Sequence, residues 1–241
     1  MDILSQPFVK AALDPTLIPG IYNACDQWCM YCPATARCLA YRCRPPDARE
    51  EDPQDIYANI ASRMVEGMQR LRDLNRAEGR VIPELDALMS KDPREPLCLP
   101  VIDDPLERMG RRYGSLTDAY LASRPDFPLV MKRRREGPTA YEVFAWHHRL
   151  IPSKIYRALA SRAAAVHGQP SGDVDARASA KTALIGIDRS RAAIQEMEQE
   201  DDDARLDEVS THLRRLGREL ETRFPDARSF VRPGLDERMG G

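Results

Sequence analysis

Strand-forming residues are scarce in this chain of 241 residues. Aromatics make up 6% of it, and β-branched residues are few beside Ala, Leu, Arg and Glu. Sheets draw on β-branched and aromatic side chains to cover their pleated faces, whereas the abundant types here are helix formers. An excess of one charge is also missing: 36 Lys and Arg stand against 38 Asp and Glu, a formal net charge of −2. Nucleic acid and anionic membranes are therefore not expected as partners through long-range attraction. No stretch approaches the roughly 18 apolar residues of a membrane span. The opening MDILSQPFVK lacks a basic region followed by an apolar run, so a cytoplasmic placement with reduced thiols is expected. Nor is there a phosphate loop, a dinucleotide fingerprint, a nucleophile elbow or a zinc-protease motif. With 42% hydrophobic residues the chain has the material for a packed core.

Cysteine is concentrated rather than absent. Five of the six fall between Cys25 and Cys43, and only Cys98 stands apart. The run reads Cys25-Asp-Gln-Trp-Cys29-Met-Tyr-Cys32-Pro-Ala-Thr-Ala-Arg-Cys38, then Cys43. Thiolates gathered in so short a segment suit soft metals, zinc and iron–sulfur clusters among them. Disulfides are the competing reading, and a reducing compartment disfavours them. Cys25, Cys29, Cys32 and Cys38 form a compact run with a more distant fourth thiol, with Pro33 directly after a ligand, as a [4Fe–4S] cluster would use. Trp28 and Tyr31 would shield it from water. Cys29-x2-Cys32 with Cys38-x4-Cys43 is the two-pair alternative for Zn2+. The expected metal set is Cys25, Cys29, Cys32 and Cys38. Cys43 leads toward Arg44-Pro45-Pro46, and Cys98 lies in a proline-rich loop as a small hydrophobe.

Cys25-x3-Cys29-x-Tyr31-Cys32 resembles the cysteine signature of the radical S-adenosylmethionine enzymes over eight residues. That resemblance implies three cysteines on a [4Fe–4S] cluster, in the loop after the first strand of a β/α barrel. The rest of this sequence has neither alternating strands nor a glycine-rich methionine-binding strand, and Cys38 would fill the open iron site. The motif thus stands without its structural context.

Three stretches follow from composition: a cysteine-rich metal-binding segment at 1–50, a helical bundle at 51–225 and a flexible tail at 226–241. Asp52-Pro53 predicts a helix start, with an end at Gly79. Asp104-Pro105 repeats the signal before a stripe of Leu106, Met109, Tyr113, Leu116 and Tyr120. Thr139 and Glu142 form a capping-box pattern ahead of Phe144, His148, Ile151, Ile155 and Leu159, with Pro152 expected to kink that helix. Ala176, Ala180, Leu184, Ile187 and Ile194 mark another helix. Asp203 caps the last, with its stripe of Leu206, Val209, Leu213, Leu216 and Leu220 before Pro225. The fold expected is all-α, an antiparallel helical bundle of about five long helices behind an irregular N-terminal cysteine-rich segment.

Outside the cysteines, His147 and His148 are the main candidates for chemistry. His148 falls on an apolar face, where a hydrogen-bonded core histidine is the default; carboxylates such as Asp188 or Glu66 would be needed for a second metal site. No Glu-x-x-His pair supports one. The run Lys132–Arg135 reads as a solvated loop. Three functions are therefore carried forward. The first is a metal-centre protein for electron transfer or redox sensing, with an unknown protein or redox partner. The second is a zinc-stabilised helical interaction protein, and the third an enzyme with a site in the bundle near His147 and His148.

Overall fold

The structure, a computed structural model, describes residues 14–42, 103–124, 136–166, 172–199 and 203–236, with Gln69, Arg72, Asp73, Asn75, Arg76, Ala77, Gly79 and Val81. The chain divides into two compact units, one made of 1–44 with 100–241 and the other of 45–99. In the second unit the described residues from Gln69 to Ala77 are helical, and Gly79 has φ +71°, the left-handed stop expected there. Its N–H bonds Arg76 O at 3.0 Å. The predicted start at Asp52-Pro53, the loop with Cys98, Cys43 and the run Lys132–Arg135 lie outside the described residues.

In the first unit all regular structure among the described residues is helical, as composition predicted. After three single 3-10 turns come α1 (Leu39–Arg42), α2 (Pro105–Ala122), α3 (Ala140–Val166), α4 (Gly172–Met197) and α5 (Ala204–Arg223). The start signals work as read. Asp104 Oδ1 accepts from Leu106 N at 2.8 Å with Pro105 in the first turn, and Asp203 Oδ1 accepts from Arg205 N at 2.9 Å. At α3 the capping box closes both ways: Glu142 N donates to Thr139 Oγ1 at 3.2 Å and Thr139 N to Glu142 Oε2 at 2.8 Å. Pro152 does not end α3, which runs on to Val166.

The four long helices form a ring in chain order: α2 packs on α3, α3 on α4, α4 on α5, and α5 closes on α2. Ion pairs at their ends show the alternation of direction. Arg223 at the end of α5 pairs with Asp104 at the start of α2 (2.9 Å), and Arg124 just past α2 pairs with Asp203 ahead of α5 (3.5 Å). Likewise Arg157 late in α3 meets Asp175 early in α4 at 3.0 Å. This is an antiparallel bundle of four described long helices. Its core holds the predicted stripes: Leu206, Leu213, Leu216 and Leu220 are fully buried, as are Ile151, Ile155 and Phe144. Close approach of α3 and α4 depends on Gly186, where a Cβ would stand 3.0 Å from Ile151 and 3.1 Å from His147. Among the described residues no helix is long and apolar enough to cross a membrane.

The flexible tail drawn at 226–241 is packed over its described part, to Asp236. Ala227 is fully buried in the bundle core, and Leu235 joins the small apolar cluster of Ile18, Ile21, Ala34 and Cys38. Gly234 has φ +70°, and a Cβ there would overlap Ile18, so the chain passes close over the cysteine segment. Asp236 fixes this stretch: it accepts from Arg232 and pairs with Lys181 at 3.0 Å. The composition of the tail, polar and charged, hid these pairs.

Candidate metal centre

Between Asn23 and Cys38 the backbone turns repeatedly without forming a long helix. Ile21–Asn23, Cys29–Tyr31 and Thr35–Arg37 are single 3-10 turns, each followed within two residues by a cysteine. Gln27 has φ +59°, in the left-handed region, which costs an L-residue on the order of 1–2 kcal/mol. Asp26 supports that bend by accepting from Trp28 N at 3.1 Å. A strained residue midway between Cys25 and Cys29 reverses the chain so that both thiols can reach one place.

All four cysteines of the predicted set line one small cavity of about 20 Å³, with Ile21, Trp28, Thr35 and Tyr41 among the other walls. That volume holds about one water. None of the four is in a disulfide. Sharing a cavity is a looser arrangement than a coordination sphere: among the described residues no three Cys, His, Asp or Glu donors are gathered closely enough to hold an ion. The donor set itself fits a soft metal, since the walls offer sulfur and apolar surface and little competing oxygen. Burial pushes the Cys25 and Cys32 thiols above their ordinary range, so a metal must displace their protons. Cys25 and Cys32 also border a wider cleft of about 610 Å³ that includes Tyr31, Arg189 and Arg232. The small cavity therefore has one side near solvent.

The bundle grips the segment on either side of Cys25. Lys154 Nζ donates to Asn23 O (2.9 Å), Thr182 Oγ1 to Ala24 O (2.9 Å), Trp146 Nε1 to Asp26 O (2.9 Å) and Arg189 Nη1 to Asp26 Oδ2 (2.7 Å). Trp28 stacks on Trp146 with ring centres 5.1 Å apart and meets Tyr31 edge-on at 5.2 Å. Those are the only two tryptophans of the chain. Trp28 Nε1 is buried and has no hydrogen-bond partner among the described residues. Of the shield expected from Trp28 and Tyr31, Trp28 lines the small cavity and Tyr31 the outer cleft.

The two histidines diverge. His147 is fully buried against Trp28, its Nδ1 donating to Val143 O at 2.7 Å. His148 turns toward α2: its Nδ1 donates to Ala145 O, and its Nε2 lies 3.2 Å from Asp118. Burial pushes both imidazoles below the ordinary 6.5, so each is neutral at pH 7. Asp188, the carboxylate considered for a bundle site, is paired with Arg228 at 2.5 Å, and Glu66 lies outside the described residues. The structure thus does not bring the His147–His148 candidates together with a carboxylate set.

Sequence reading missed Lys154, Trp146, Thr182 and Arg189, which reach the cysteine segment from helices more than a hundred residues away. One signal was legible: His147, Ile151, Lys154 and Ala158 recur at spacings of four, three and four, so Lys154 stands in an apolar stripe. No protein-family model matches the chain, and no curated protein and no solved structure matches it.

Proposed function

We propose that this is a metal-centre protein in which Cys25, Cys29, Cys32 and Cys38 hold an iron–sulfur cluster used for electron transfer or redox sensing. The observation that carries the reading is the shared cavity, which four thiols from a fourteen-residue stretch line together. Electron exchange is supported by the access side: Cys25 and Cys32 border the wider cleft, and the stacked Trp28–Trp146 pair extends from the cavity wall to the bundle. The packing of the segment on the helices also supports a centre tied to the fold rather than a free appendage.

A second reading is structural zinc, favoured by one observation: a cavity of about 20 Å³ is sized for a single ion more readily than for a cluster. Anaerobic purification with an absorption spectrum and analysis for iron, zinc and sulfide separates the two. A brown protein with matching iron and acid-labile sulfide is expected. Colourless protein with one zinc per chain selects the second reading. A chain that takes up neither metal on reconstitution overturns both.

A further inference from the structure

Lys154 is 4% exposed, in the middle of α3 and directly beneath the cysteine segment. Its ammonium carries three N–H donors. Among the described residues they have one acceptor, Asn23 O, and no carboxylate within ion-pair distance. Neighbouring cations differ in this respect. Arg157 has Asp175, Lys181 has Asp236, Arg189 has Asp26 and Arg232 has Asp236. Burying an ammonium without an anion costs several kcal/mol. A lysine at such a position calls for an anion that the neighbouring carboxylates do not provide.

Two carboxylates act on Lys154 from nearby, Asp175 and Asp26. Asp175 is engaged by Arg157 and by the Ser161 hydroxyl, and Asp26 by Arg189. That leaves Cys25. The lysine and Cys25 are further linked through the backbone, since Lys154 holds the carbonyl of Asn23, two residues ahead of the thiol. Burial pushes the Lys154 ammonium below the usual lysine range.

Resting on the metal reading above, we infer that Lys154 is the buried counter-charge of the thiolate centre, a positioning residue that acts through Cys25. Four thiolates on a divalent ion, or on a cubane core of the same charge, carry a net charge of −2. Each thiol that ligates releases its proton to solvent, and Lys154 keeps its own. In the loaded protein the ammonium then faces an anion; in the metal-free protein it faces a neutral thiol. Metal binding and Lys154 therefore stabilise each other, and the coupling is reciprocal. A centre neutralised on its inner side also holds its electron more readily than an uncompensated one, which raises its potential.

The test uses the full chain as wild type, Lys154→Met, Lys154→Gln and Lys154→Arg, each metal-free and reconstituted with iron and sulfide or with zinc. Metal release to a chelator and the melting temperature of both forms are measured. Lys154→Met is expected to release metal about tenfold faster while its metal-free form melts at or above the wild-type temperature, because an uncompensated charge has gone. Lys154→Arg is expected to stay within about threefold of wild type. For a cluster, the midpoint potential should fall in Lys154→Met. Should the Met variant not fold, Gln against Arg makes the same comparison of neutral against charged. Equal losses of melting temperature in the metal-free and loaded forms, with unchanged release, overturn the inference and leave the metal centre standing. A wild-type chain that binds no metal overturns both.

Discussion

The bundle and the cysteine segment are held by different forces. In α2–α5 the inward faces are mostly apolar and buried, so each helix is fixed by its neighbours' side chains. Burial on that scale is the dominant favourable term in folding. The segment from Asp14 to Arg42 owns only a small cluster, Ile18, Ile21, Ala34 and Cys38, with help from Leu235. What fastens it is the Trp28–Trp146 stack together with polar side chains of α3 and α4 that bond Asn23, Ala24 and Asp26. A region with so little core of its own depends on a surface to dock on. The contrast explains why one half of the molecule is legible as a pattern and the other as a motif.

Breaking the bundle should have the largest effect. Leu213 is fully buried at the centre of the α5 stripe, and Leu213→Ala should lower stability by about 2–5 kcal/mol, read by thermal or urea denaturation. The segment would loosen with it, because its anchors stand on the helices. Breaking the docking should be milder and one-sided. Thr182→Val removes the hydroxyl shared between Ala24 O and Ala178 O at about 1 kcal/mol. Hydrogen exchange should quicken across 14–42 while the bundle keeps its protection; uniform loss of protection would mean that the two regions open as one.

A smaller effect sharpens the boundary between them. His147 sits where α3 meets Trp28, and burial holds its folded pKa below the unfolded 6.5. Below that value the unfolded chain binds a proton that the folded chain refuses. Stability contributed there is complete above about pH 6.5 and declines as pH falls beneath it. His147→Asn should flatten that decline in the metal-free protein. An unchanged slope would assign the acid sensitivity elsewhere, with His148 the next residue to vary.

Much of the bundle could be read ahead of the structure because its signals are local. Asp-Pro at 104–105, the Thr139–Glu142 box and the Leu206–Leu220 stripe each need only a few neighbouring residues to act. That Cys25, Cys29, Cys32 and Cys38 would come to one cavity was also legible, since it follows from their short spacing. What supports them was not. Trp146, Thr182 and Arg189 meet the segment only after the helices have packed, and helix patterning treats an inward Thr or a half-buried Trp as ordinary. The tail went unread for the same reason: Gly234 and Leu235 gain their role from Ile18, far away in sequence.

Cys25, Cys29, Cys32 and Cys38 are proposed to build one centre. Bound metal per chain, measured across all six single Cys→Ser variants, tests it most directly, because serine supplies no soft thiolate. Loss or lability of metal is expected at those four positions, with full occupancy for Cys43→Ser and Cys98→Ser. Full occupancy in Cys25→Ser together with loss in Cys43→Ser would contradict it and select the two-pair arrangement of Cys29, Cys32, Cys38 and Cys43.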